Sequence, residues 1–328
     1  QGGNLYRFDL RGEVDTWTAH KIYNGKSSQP ITAAPAVYKE SSDSYMVIVG
    51  TGSDIYQKDL EDKNQQVVLG IRDKLTEKTP KPIEQSQLVE QKILGTTGTS
   101  GTGGDKKTLR YLTRKTVADG SPGWMLTLGS DGERVVTQAS VINRTAVFTS
   151  RVYTTKKSSS APNTSSQSNN AYSCKINKTS TKSESTGWLF AVDVKTGSNP
   201  LESSAYFKDL GEQSKTSFNA GEKEAIEGDE ALKVAALQID GLSSGATLNS
   251  FEALARTVKA VNANGAFGSG QDLAIDAAQG RNDCVEHGDY TVGVVSSTTG
   301  YESTGLEAFK CPTEGGRLIR INSRPIIE

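Results

Sequence analysis

The chain has 328 residues, 37 Lys plus Arg against 38 Asp plus Glu, and a formal net charge of −1. That balance gives a nucleic-acid partner none of the support that counterion release requires. Hydrophobic residues make up 34% and mean hydropathy is −0.49, lean for a tightly packed α/β enzyme and ordinary for short strands joined by polar loops, and no apolar run is long enough for a membrane-spanning helix.

In chain order, Asn4 to Leu10 predicts a strand, Arg11-Gly12-Glu13 a solvated turn, and Trp17 to Tyr23 a second strand. Leu5, Phe8 and Leu10 do not alternate cleanly, which predicts neighbours on both faces. The pattern is already under way at Gln1, as in a fragment whose upstream part is missing. Gln29 to Tyr38 reads as a strand with Pro30 and Pro35 at its start or edge, since proline cannot donate to a ladder. Ser41 to Ser44 turns the chain back into Tyr45 to Gly50.

Met46 to Val49 and Val67 to Ile71 are short apolar runs suited to buried strands. Gly50-Thr51-Gly52 and the charged stretch Asp59 to Gln66 separate them, which predicts an antiparallel hairpin. Residues 75–123 read mostly as loop, with a short helix or edge strand at Gln85 to Leu94 and a Gly/Thr tract at Ile93 to Thr108. Gly123 to Leu128 alternates, turns at Gly129 to Gly132 and leads into a strand at Glu133 to Val136. Asn143-Arg144 turns into Ala146 to Ser150. Glu133 and Arg134 are expected to pair with charges on neighbouring elements, worth only ~0–1 kcal/mol if exposed.

Residues 154–186 are rich in Ser, Thr, Asn and Lys, carry Cys174, and read as a low-complexity surface insertion. Gly187 to Gly197 follows the pattern G-x-L-x-x-x-D-x-x-T-G, with Asp193 suited to cap backbone N–H groups in a strand-closing turn. Gly3 to Asp9 and Gly316 to Asn322 are degenerate copies of the same unit, a repetition that points to a radial β architecture. Residues 198–283 are weakly patterned. They hold a strand at Lys233 to Ile239 and one short amphipathic helix at Asn249 to Val261, with Ser250 as N-cap. Tyr290 to Ser296 and Glu307 to Lys310 read as strands, and Gly316 to Ile327 closes the chain.

Chemistry-bearing residues are few. Cys284 and Cys311 are close enough in sequence to staple one loop-rich segment by a disulfide in an exported protein; three unrelated buried thiols are the alternative. His20 and His287 are isolated, and there is no C-x-x-C pair to ligate a metal. Trp17, Trp124 and Trp188 each lie in a strand pattern, so packed core tryptophans are the plainer reading of all three.

Gly50-Thr51-Gly52, Asp59, Gln66 and Gly70-Ile71-Arg72-Asp73-Lys74, with the Gly-Asn-Leu-Tyr-Arg-Phe-Asp-Leu string at 3–10, resemble the C-terminal β-propeller of the PilC/PilY family of bacterial type IV pilus tip proteins. Arg72 departs from the family pattern, which often has Trp there. The resemblance implies an all-β, quinoprotein-like β-propeller, N-terminally truncated, spanning residues 1–328 as one domain with long insertions. It implies a non-enzymatic protein that supports pilus assembly, extension and adhesion, on the pilus tip or outer-membrane surface of a Gram-negative bacterium. The implied partners are minor pilins and a receptor on a host cell or an abiotic surface. Calcium is implied for the parent protein only, with ligands upstream of Gln1; no cofactor is implied for these residues. The alternative is a quinoprotein-like dehydrogenase propeller, which needs a metal-bound quinone stacked on an aromatic in its funnel.

Overall fold

The computed structural model describes residues 2–95, 99–100, 107–129, 131–142, 144–156, 182–200, 205–207, 210–241, 243–250, 288–296 and 300–308. These residues are mostly β, with one short α-helix, α1 (Ala220–Glu224), capped by Asn219 and Glu222. Strands are numbered in chain order. A three-stranded sheet joins β1 (Leu5–Asp9), β2 (Thr18–Asn24) and β6 (Ile83–Glu84). A five-stranded sheet has the order β3 (Ala36–Lys39), β4 (Ser44–Gly50), β5 (Val67–Lys74), β10 (Gly123–Thr127) and β7 (Val89–Lys92). The third sheet runs β11 (Ser140–Ile142), β12 (Thr145–Lys156), β13 (Lys182–Asp193), β17 (Ala236–Asp240), β9 (Lys107–Arg110) and β8 (Thr99–Ser100). The fourth runs β14 (Ala205–Phe207), β20 (Gly300–Ala308), β19 (Gly288–Ser296) and β18 (Thr247–Ser250). A small ribbon pairs β15 (Glu212–Gln213) with β16 (Leu232–Lys233).

The sheets pack face to face, and the two-residue period of the strands decides which core each side chain joins. In β4 and β5, Val49, Val67, Leu69 and Ile71 face the first sheet, where they meet Leu5, Ile22 and Tyr23. Their neighbours Met46, Ile48 and Val68 point the other way and meet Phe148, Phe190 and Val192 of the third sheet. That sheet in turn sends Val147, Leu189 and Ala191 to a core shared with Phe207 and Val294 of the fourth. A strand that feeds two cores must be apolar at every position, which is why Met46–Val49 and Val67–Ile71 are continuous runs.

The hairpin expected between these runs is present, with Ser44 opposite Lys74 and Gly50 opposite Val68. Trp124 is the largest buried side chain, and two glycines make room for it. A Cβ on Gly70 would stand 2.2 Å from its ring and one on Gly197 2.1 Å away, and Gly197 also holds a left-handed φ of 64°. The indole N–H donates to the Val194 carbonyl at 2.7 Å, tying the second sheet to the third.

Several expectations change. The strand foreseen over Gln29–Tyr38 begins only at Ala36, after both prolines. Of Glu133–Val136, Arg134 alone pairs, as a single bridge to Arg151. Lys233–Ile239 is split between β16 and β17. The loop over 75–123 contains β6, β7, β8 and β9, with a 3-10 turn at Gln85–Gln87. β12 and β13 pair from Thr145–Asp193 out to Lys156–Lys182, so both ends of the 154–186 stretch are hairpin strand. Asn249 and Ser250 close β18 where a helix start was expected, and residues 251–261 lie outside the described residues. Outside them too are Cys174, Cys284, Cys311, His287 and the third repeat copy at 316–322.

β1 is not enclosed on both faces. Leu5 is buried, but Tyr6, Phe8 and Leu10 are 51%, 67% and 57% exposed. Phe8 and Leu10 flank an open groove of about 570 Å³ that also touches Val37 and Leu75 of the second sheet. Trp17 is likewise exposed, whereas Trp124 and Trp188 are buried as expected.

Candidate functional site

The residues of the Gly-Thr-Gly motif converge on one place, the junction where β4 and β5 meet the chain between β10 and β11. The Thr51 hydroxyl donates to Gln66 Oε1 at 2.8 Å and accepts the Val67 N–H at 2.9 Å. Gln66 reaches on to the Ser28 carbonyl at 3.0 Å. Gly50 lies against Val135, and a Cβ there would come within 2.3 Å of the valine side chain. Gly52, at φ 128°, leaves the space that Arg134 fills, a Cβ there standing 2.4 Å from that of Arg134. Between this framework and Gln66 the chain makes a loop, residues 53–62, with a 3-10 turn at Gln57–Glu61.

Polar groups of this loop turn inward. Asp59 accepts from the Ser53 hydroxyl at 2.5 Å and from the Ile55 and Tyr56 amides at 3.2 and 3.0 Å. These bonds, Ser53 and Tyr56 foremost, hold its carboxyl below the usual aspartate range. Asp54 accepts from Arg151 at 2.6 Å and from the Tyr153 hydroxyl at 2.8 Å. Burial, reinforced by that carboxylate, pushes the Tyr153 phenol above its ordinary value. Lys63 donates to the Tyr153 carbonyl at 2.9 Å. Left pointing out are Ile55 and Tyr56, 58% and 55% exposed, with the Lys58 ammonium 5.8 Å from the Tyr56 ring.

Beneath the loop, Glu133 and Arg134 are both buried, and Glu133 pairs with a charge on a neighbouring strand as expected, Arg110 of β9. Both Glu133 carboxylate oxygens accept from one guanidinium nitrogen of Arg110, Nη1, at 2.8 Å, and the carboxylate also accepts the Ser150 hydroxyl at 2.5 Å and the Gly129 N–H at 2.8 Å. Arg110 lies flat on Trp188, 3.6 Å from the ring centroid. With its acceptor capacity used, the carboxylate is compensated well enough to sit in a core. Arg134 donates to main-chain carbonyls of Gly132, Ser53, Asp59 and Asp62 and lies 5.4 Å from the Tyr153 ring centroid.

A second buried arginine occupies the position where the motif departs from the family pattern. Arg72 grips Glu40 with two bonds of 2.7 and 2.9 Å and donates to the Ala118 and Ser121 carbonyls. Burial works against the Glu40 charge, but the Arg72 guanidinium outweighs it and leaves the carboxyl below its ordinary range. Arg7 of β1 pairs with Asp73 at 2.6 Å and so ties the first sheet to the second.

His20 is half-buried in β2. Among the described residues, no group of three or more His, Cys, Asp or Glu side chains is placed to hold a metal ion. Asp193 makes the predicted cap, its Oδ1 accepting from the Lys195 and Thr196 amides at 2.9 and 3.1 Å, and it pairs with Arg144 at 2.7 Å. Sequence reasoning missed Asp54, Arg151, Tyr153 and the Ile55–Tyr56 tip. An apolar pair inside an otherwise charged loop was the signal that would have found the tip.

No protein-family model matches the chain, and no curated protein matches it. Among solved structures it is similar to the crystal structure of the Pseudomonas aeruginosa PilY1 C-terminal domain, with a TM-score of 0.56 and 18% sequence identity. The match covers 93% of this chain, which spans 56% of the length of the solved chain. At that identity the likeness is one of fold.

Proposed function

We propose that the described sheets are blades of a quinoprotein-like β-propeller and that the chain is part of a type IV pilus-associated protein of the PilC/PilY kind, displayed on the cell surface at the pilus tip. The fold likeness to the PilY1 C-terminal domain supports this reading, as does the way the second and third sheets each share one core with the sheet before and another with the sheet after. The open Tyr6–Phe8 face of β1 is then where a further blade of the whole protein docks.

The wheel acts as a rigid frame whose loops make contacts, and it performs no chemistry. The observation that carries this is the 53–62 loop, where Asp59 bonds within the loop and Asp54 to Arg151 while Ile55 and Tyr56 face solvent. An ordered loop loses little conformational entropy on binding, so an aromatic tip on it suits a protein contact. Its partners are minor pilins, with a host-cell or abiotic surface as the second contact.

Purified type IV minor pilins test this in a pull-down with the 328-residue chain. Capture is expected, weakened at least about tenfold by the double substitution Ile55→Ala/Tyr56→Ala, as for a truncated hot spot. Undiminished capture by that variant rejects the tip as the contact. Loss of capture only on deletion of 157–181 moves the contact to the Ser/Thr-rich insertion.

A further inference from the structure

Four main-chain carbonyls of one junction, on Ser53, Asp59, Asp62 and Gly132, converge on a single cation, the Arg134 guanidinium. Loops that gather carbonyl oxygens in this way commonly do so around a bound metal ion, because each oxygen carries partial negative charge that must be balanced once it leaves water. Here the charge is covalently attached. The side chain is buried, reaches Ser53 at 2.7 Å and Asp62 at 2.6 Å, and is backed by the Tyr153 ring. The backbone is shaped to admit it. Gly52 holds a φ of 128° that leaves room for the Arg134 Cβ, and Gly132, at φ 73°, lets the Asp62 carbonyl approach, since a Cβ there would stand 2.4 Å from it.

We infer that Arg134 is the resident cation of the 53–62 loop, the positioning residue that presents Ile55 and Tyr56 in a fixed shape without any metal ion. The inference rests on the reading of that loop as a contact surface. Its geometry demands more than positive charge. A guanidinium has five N–H donors in a planar fork and can meet carbonyls on several sides, whereas a lysine ammonium at the end of a flexible stem has three. Of the other cations nearby, Arg151 grips Asp54 and the Ser243 carbonyl, Lys63 serves the Asp131 and Tyr153 carbonyls, and Lys58 lies on the exposed side beside the Tyr56 ring.

Amide hydrogen exchange of the 328-residue chain tests this without any partner, so its outcome is separable from that of the pull-down. Arg134→Ala is expected to speed exchange at residues 54–62 at least about tenfold, the size expected for losing one charge-assisted hydrogen bond, with the Val67–Ile71 amides unchanged. Guanidinium chloride, below concentrations that unfold the chain, restores protection of the loop in that variant, and calcium chloride does not. Arg134→Lys is expected to protect the loop only in part. Unchanged exchange at 54–62 in Arg134→Ala overturns the inference. So does full protection by lysine, which would make charge alone sufficient. Equal loss of protection across 54–62 and 67–71 in both variants overturns it too, by making Arg134 a general core residue.

Discussion

β1 and β13 begin as one sequence unit and end in opposite surroundings. Counting from their glycines, Gly3 and Gly187, Leu5 corresponds to Leu189, Tyr6 to Phe190, Phe8 to Val192, Asp9 to Asp193 and Leu10 to Val194. Leu5 and Leu189 are both buried, each facing the next sheet in the stack. Tyr6, Phe8 and Leu10 are open, whereas Phe190, Val192 and Val194 are fully enclosed by the second sheet. The aspartates share the same local role, Asp9 capping the Arg11 amide at 3.2 Å and Asp193 that of Lys195 at 2.9 Å, yet one is half-buried and the other fully buried. The unit dictates the strand and its turn, while the neighbouring sheet decides whether its second face is core. Among the described residues, no sheet encloses the Tyr6, Phe8 and Leu10 face of β1.

That contrast is sharpest under truncation. Phe190→Ala removes a ring stacked 5.0 Å from Phe148 and should cost about 3–5 kcal/mol in urea unfolding. Its counterpart Tyr6→Ala should stay within about 0.5 kcal/mol. Comparable losses at the two sites would mean that Tyr6 is already covered. A smaller difference is expected at the caps. Asp193→Ala leaves the Arg144 guanidinium without its buried partner and should cost about 3 kcal/mol. Asp9→Ala, at an exposed turn, should leave the unfolding midpoint unmoved, and a matching loss there would break the comparison.

Local pattern made much of this legible beforehand. The hairpin from Tyr45 to Ile71, the alternation of Gly123 to Leu128 and the Asp193 cap all follow from short-range rules. What stayed hidden depends on partners distant in sequence. Glu133 is expected to pair, but its partner cannot be named from the sequence, because Arg110, 23 residues earlier, cannot be placed beside it by periodicity. Trp17 and Trp188 sit in equally plausible strands, and only the stacking of sheets separates an exposed ring from one covered by Arg110. Only Asp59 to Gln66 reads as a charged turn in the sequence, which overlaps the second half of the 53–62 loop. That Asp54 and Asp59 turn inward and the apolar pair outward is a matter of three-dimensional closure, which turn propensities do not encode.

The most direct test of the stacked-sheet account is residue-resolved hydrogen exchange compared between the two copies of the unit. Residues Thr186–Phe190 are paired with β12 on one side and β17 on the other, whereas among the described residues β1 pairs only with β2. The account predicts that amides of Leu189 and Phe190 exchange only with global unfolding, and that β1 amides facing away from β2 exchange orders of magnitude faster. Equal protection of the two strands would contradict it.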